Sequence, residues 1–388
     1  MKSARSNLKI CLNRAVPSIL LVGMATVAIH SSATAAPAVS VESGQPTRSA
    51  IVAAANAEFT DRQVVVDFAD KVVIPTFEMV AKRAGSLSTA IDAFVQTPNT
   101  QTLKNAREAW VSARFAWEQT ECFGFGPIKS EGFDANFDTW PIDQNDLKAI
   151  LASSDQLTPG YVDRLRGSTK GFHLMEYILF GDDANKLVSN FSPRELTFLM
   201  HLGTDFAQVA TSMSDSWTKG SEDKPAYRKV LVTAGEKDNQ TYPTLQAAAS
   251  EMIGGMIDSL TEVADKKIGK TFDKKDPKLA ESRFSLNTLN DIKSNVQGSE
   301  NVYMGMFAPA STKGRGLSAF VAQVNPALDA KVRQQFKAAH SALNQVPMPF
   351  EKAVLDPRAA DQIKAAREAV STVQETLEKE VKPLLGSK

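Results

Sequence analysis

On a helix, a histidine and a glutamate three residues apart present an imidazole nitrogen and a carboxylate on one face. Gly171-Phe-His173-Leu-Met-Glu176 has that spacing. Metal centres in carboxylate-bridged bundles use the same residue types in the order Glu-x-x-His. The reversed order here changes the geometry but keeps the shared face. The plain alternative is a surface hydrogen bond. The neighbours weigh against it: Phe172, Leu174, Met175, Tyr177, Ile178, Leu179 and Phe180 make the segment apolar nearly all round, and such a helix is buried. A buried imidazole and carboxylate need partners, because unpaired charge is costly to desolvate.

Arg114, Glu118 and Glu121 follow steps of four and three and so share one helical stripe, with Trp117 beside them. Two readings stand side by side: a structural Arg114–Glu118 salt bridge, or a carboxylate ligand from Glu121 oriented by Arg114. Asp143, after Trp140-Pro141, is a further ligand candidate or a turn residue. Cys122 beside the acidic residues reads as a ligand or, more simply, a small buried hydrophobe. No His-Glu-x-x-His helix, Gly-x-Ser-x-Gly elbow, P-loop or Cys-x-x-Cys pair occurs, which removes the familiar zinc-peptidase, hydrolase and nucleotide signatures.

These residues require helices to hold them. Val65, Phe68, Val72, Pro75 and Met79 recur at helical steps, and Pro75 should kink that helix. Asn99 or Thr100 caps a second helix, on which Leu103, Trp110 and Trp117 recur every seven residues. Residues 122–165, dense in Gly, Pro and aromatics, read as a long structured loop with short helical turns. A helix over 172–180 ends at Gly181, and Ser192-Pro193-Arg194-Glu195 forms a capping box that opens a helix to about Trp217. Helices are expected again at 241–268, 285–304, 316–343 and 357–384. The fold expected is all-α, with an N-terminal bundle over 59–220, a linker over 221–240 and a C-terminal bundle over 241–388. Lys104-Asn-Ala-Arg-Glu-Ala-Trp110 matches Lys364-Ala-Ala-Arg-Glu-Ala-Val370 at five of seven positions. If that repeat is genuine, the two bundles are related by internal duplication.

The first 36 residues read as a secretion signal. Lys2, Arg5, Lys9 and Arg14 precede an apolar run over about 16–29, and Ala33-x-Ala35 fits a cleavage site. The run is shorter than the ~20 residues a membrane span needs, and Cys11 lacks lipobox neighbours. Residues 37–58 read as a flexible leader. Removing residues 1–36 takes the charge balance from 44 − 44 = 0 to 40 − 44 = −4. A mildly acidic chain excludes nucleic acid as an expected partner and leaves cations open. No later stretch is apolar enough to span a bilayer.

The Gly171-x-His173-x-x-Glu176 stretch resembles the signature of the imelysin family. Ala113-Arg114…Trp117-Glu118…Glu121…Phe125-Gly126-Pro127, Trp140-Pro141-Ile142-Asp143, and Glu281-Ser282-Arg283-Phe284-Ser285 with Leu289, Asp291 and Asn295 are similar to three further family blocks. The resemblance spans roughly residues 60–385. It implies a two-domain helical-bundle fold, a site near the domain interface drawing on Gly171, His173, Glu176, Glu121, Asp143, Glu281 and Ser282, and a bacterial envelope location. It also implies a connection to iron acquisition, although the family is catalogued with metallopeptidases.

Three functions follow. The first is a periplasmic metal-binding protein for iron uptake. Its ligands would be His173, Glu176 and Glu121, supported by Arg114, Glu118, Trp140, Asp143, Gly171, Glu281 and Ser282, and it would bind iron or zinc with an envelope partner protein. The second is a metallopeptidase with Glu176 as general base. The third is a scaffold in which His173 and Glu176 only brace the two halves.

Overall fold

In the computed structural model, which describes residues 59–221 and 223–386, the chain is all-α. The signal-like segment and the leader lie outside those residues. Among the described residues the only strands are two-residue pairs, Gly220–Ser221 with Lys224–Pro225 and Met306–Phe307 with Thr312–Lys313.

Pro75 and Asn99 shape the first helical pair. Arg62–Asp67 runs through a π-helical turn, Phe68–Val73, into α1, Ile74–Gln96. Ile74 N–H donates five residues back to Ala69. The bonding register thus changes next to Pro75, which has no amide to give. Asn99 closes a capping box with Thr102 and opens α2, Thr100–Trp117, which packs on α1. α3, Gly171–Phe180, lies against α2 and against α4, Pro193–Thr218. α4 opens on the expected Ser192–Glu195 capping box and also packs along α1.

The later helices are α5 (Leu245–Thr261), α6 (Thr288–Met304), α7 (Leu317–Val324), α8 (Pro326–Gln345) and α9 (Ala360–Thr376). α5 continues through a second π-helical turn, Glu262–Lys270. The single helix expected over 316–343 is broken. Asn325 ends α7 and its side chain caps α8, whose first residue is Pro326; a proline there is favourable as a start and prohibitive as a continuation. α8 packs on α9, α9 on α5, and α6 on both α5 and α8. Within 221–240, Tyr227–Val232 forms a helix that packs on the turns over Arg62–Val73, where Arg62 donates to the carbonyls of Val232 (2.6 Å) and Ala234 (2.9 Å).

Lys104–Trp110 lies on α2 and Lys364–Val370 on α9, and both bury the same positions, Ala106 and Trp110 against Ala366 and Val370. A 3.6-residue repeat gives that order with or without common ancestry. The polar residues differ: Glu118 is buried, whereas Glu378 is exposed.

Nearly all the buried apolar residues form one connected core. It is joined through the turn after α2. Glu118–Phe123 winds as a 3-10 helix and sits between α5 and α6. Two glycines make that approach available. A Cβ on Gly255 would stand 2.2 Å from the Cys122 carbonyl oxygen, and one on Gly298 2.4 Å from that of Gln119. Next door, a Cβ on Gly254 would meet nothing within 4 Å. Adjacent substitutions should therefore have opposite signs. Gly255→Ala should destabilise by about 1–3 kcal/mol through overpacking. Gly254→Ala should be neutral or stabilise by up to ~1 kcal/mol through helix propensity. Thermal melts of the two variants beside the parent check this, and equal shifts would refute the wedged turn.

Candidate functional site

Gly171 sets the geometry of the site. It has φ +77°, and a Cβ there would lie 2.5 Å from the Phe137 carbonyl oxygen. Only glycine accepts both the positive φ and the approach. The start of α3 therefore presses on the short helix Phe133–Phe137, and the residue that ends it, Asp138, meets His173. Phe172 packs edge-on against Trp110 and Phe137, and Trp110 Nε1 donates to the Phe172 carbonyl at 3.0 Å. His173 is thereby held in a fully buried position.

Both imidazole nitrogens face carboxylates. Nδ1 lies 3.0 Å from Glu176 Oε2, and Nε2 lies 3.2 Å from Asp138 Oδ1 and 4.0 Å from Glu281 Oε1. Despite its burial, Nε2 has no aligned hydrogen-bond partner. The other Glu176 oxygen accepts from Ser285 N–H (2.8 Å) and Ser285 Oγ (2.7 Å). Glu176 thus stands on the far side of the ring from the point where Asp138 and Glu281 converge. Trp140 tilts over the imidazole with centroids 4.9 Å apart, and beyond it opens a cleft of about 520 Å³ lined by Asp143, Lys278, Arg283 and Phe284.

Arg114, fully buried, is the hub. Its Nη1 contacts Asp138, its Nη2 contacts Glu118 and lies 3.0 Å from Glu281 Oε1, and its Nε lies 3.5 Å from Asp291 Oδ2. Trp117 Nε1 donates to Asp138 Oδ2 at 2.6 Å. Lys267, from the π-helical turn after α5, places Nζ 2.9 Å from Glu118 Oε2 and 2.8 Å from Glu281 Oε2. Asn295 also donates to Glu118 Oε2, at 2.7 Å. Three sets of ligand atoms, Asp138/His173/Glu281, Glu118/Glu281/Asp291 and Glu118/Glu121/Asp138, each lie within 4.8 Å of one another.

The imelysin family model matches residues 73–378. The chain belongs to the imelysin family. It is 40% identical over 323 residues to iron-regulated protein A of Synechococcus elongatus, covering 83% of this chain and 86% of that one. Among solved structures it is similar to a putative iron-regulated protein A precursor from Parabacteroides distasonis, with TM-score 0.75 and 25% identity over 85% of this chain and 97% of that one. An imelysin-like protein from Psychrobacter arcticum shares the fold, with TM-score 0.66 and 11% identity over 85% and 98%.

In this imelysin chain the expected residues divide. His173, Glu176, Arg114, Glu118 and Glu281 meet in the cluster, and Trp140 caps it. Glu121 is mostly buried, with a minor part open to solvent, and lies within reach of Glu118 and Asp138. Ser282 is buried near Thr288, its N–H donating to Thr288 Oγ1 at 3.1 Å. Asp143 does not join them: it caps the helix Gln144–Ala152, accepting from the amides of Asn145 and Asp146. Cys122 is a buried hydrophobe whose thiol is pushed up by burial. His340 pairs with Glu300 at 2.9 Å, outside the cluster. Sequence reasoning missed Asp138, two residues before Trp140, and Lys267, which sits in a charged Asp-Lys-Lys run typical of a solvated face. Asp291, Asn295 and Ser285 lay in a recognised block without a role.

Burial and Arg114 would lower the His173 pKa, but the Asp138 carboxylate close to Nε2 and the bond to Glu176 override them and raise it from 6.5 to about 9. Burial would raise the Asp138 carboxyl, yet Arg114 and His173 hold it well below the usual carboxylate range. Burial against Lys267 and Arg114 leaves Glu281 lowered. Burial dominates at Asp291 and Glu121, whose carboxyls are held well above the ordinary value. A raised pKa stabilises the fold fully below the ordinary value and loses that contribution as pH rises through the folded one. For His173 the window runs from 6.5 to about 9 and is worth roughly 3 kcal/mol at ~1.4 per pH unit; Asp291 and Glu121 act in the same sense. Urea midpoints at pH 6 and pH 9.5 should fall on alkalinisation in the parent and fall less in His173→Gln. Parallel pH profiles for the two proteins would remove the imidazolium from this account.

Proposed function

We propose that this imelysin is an exported metal-binding protein of the bacterial envelope that serves iron acquisition. The observation that carries the reading is the convergence of His173 Nε2, Asp138 Oδ1 and Glu281 Oε1 from three separate segments. Nε2 is buried and lies 3.2 Å from Asp138 Oδ1 without an aligned hydrogen bond, and the opposite ring nitrogen is fixed by Glu176. That is how proteins orient a ligating imidazole. Imidazole with carboxylates suits iron or zinc. His173, Asp138 and Glu281 would hold the ion, while Glu176, Ser285 and Trp140 fix the ring. The relative's name, iron-regulated protein A, supports the link to iron. The signal-like N-terminus supports export, and no helix among the described residues is long and apolar enough to cross a membrane.

Binding is favoured over proteolysis because Glu176 is fully engaged, one oxygen by His173 and the other by Ser285. A general base must reach a water or substrate proton. Elemental analysis of the purified mature protein after exposure to ferrous iron or zinc is expected to find one ion per chain, lost in a folded His173→Ala variant. A metal-free parent would leave only the bracing role for the cluster, and casein digestion dependent on Glu176 would restore the peptidase.

A further inference from the structure

Resting on that reading, we propose that the Lys267 ammonium occupies a second cation position beside the first. The cluster then takes one divalent ion where the same carboxylates without Lys267 would take two.

Glu281 is the bridge. Its Oε1 faces Arg114 and His173 Nε2, and its Oε2 faces Lys267 Nζ at 2.8 Å. A carboxylate with its two oxygens directed at neighbouring cation positions is the arrangement that joins paired metals in helical bundles. Lys267 Nζ also lies 2.9 Å from Glu118 Oε2. The lysine side chain is 6% exposed, so the ammonium has exchanged its water for these oxygens. Oxygens of Glu118, Glu121 and Asp138 lie within 4.8 Å of one another, forming a ligand set that does not use His173.

An independent observation marks this as a place for a cation. Glu118 is fully buried, with Oε1 turned to Arg114 Nη2 and Oε2 to Lys267 Nζ, so both of its oxygens face positive charge. Glu281 Oε2, 2.8 Å from the ammonium, has no aligned hydrogen bond to it. The ammonium donates to Glu118 Oε2 but leaves Glu281 Oε2 paired in charge and unmet in direction. A metal ion accepts several oxygens without that directional demand. Asn295 donates to the same Glu118 Oε2 at 2.7 Å, a bond that does not pass through the lysine.

Lys267→Met keeps the length of the side chain and removes the charge; Lys267→Gln keeps a donor and serves if the methionine variant does not fold. Parent and variants, each verified by a cooperative melt, are titrated with manganese(II). Bound ions are counted by equilibrium dialysis, and spin coupling between them is read by electron paramagnetic resonance. The expected result is one uncoupled ion in the parent and two coupled ions in the variant. One ion in both overturns the inference and leaves the proposed function standing. None in the parent with one in the variant supports the lysine's place and defeats metal binding by the native chain. None in either defeats both.

Discussion

A guanidinium withdrawn completely from water must be surrounded by acceptors, and Arg114 draws them from distant parts of the chain. Glu118 comes from the end of its own helix, Asp138 from the short helix over α3, and Glu281 and Asp291 from the approach to α6 and its first turn. Each contact fixes a segment that its local sequence would leave loose. The close approaches at Gly171, Gly255 and Gly298 serve this convergence. They bring the Phe137 carbonyl against α3 and the turn after α2 against α5 and α6. Removing one partner from such a network strands the others, at a cost of about 3–5 kcal/mol for a buried pair.

The charge inventory around that hub decides what the cluster can do. Glu118, Glu121, Asp138, Glu176, Glu281 and Asp291 surround Arg114, Lys267 and His173. The carboxylates outnumber the permanent cations, so the balance is made by protons: burial keeps Asp291 and Glu121 raised, and His173 carries its proton to about 9. On the proposed function, a metal held at His173 Nε2 would take the place of the proton there. Glu176, on the other nitrogen, would keep the ring oriented in either state.

The helices were legible because their signals are local. The Asn99 and Ser192 caps, the apolar stripe of α2 and the stop at Gly181 each depend on residues within one or two turns. The break at Pro326 was legible in principle, but the apolar period on either side concealed it. The His173–Glu176 pair was visible for the same reason of short range. The remainder of the site was not, because its members meet only through packing. Asp138 is brought to His173 by a glycine contact at Phe137, and Lys267 reaches Glu118 across 149 positions of sequence. No periodicity records such a meeting. Glu176 illustrates the limit: spacing placed it on the face of His173, but the side of the ring it takes depends on Ser285, over a hundred residues later.

Stability alone is a poor reason for so much buried charge. Replacing a buried ion network by well-packed apolar side chains is often neutral or stabilising, because desolvation offsets the Coulomb gain. The junction already has apolar neighbours capable of such packing: Trp117, Phe137 and Phe172 crowd Arg114 and Asp138. A brace would also have no use for an imidazole whose second nitrogen is buried without an aligned bond, or for glutamate oxygens turned towards positive charge but out of line with it. Those unmet directions are what the proposed metal site would account for and a brace would not.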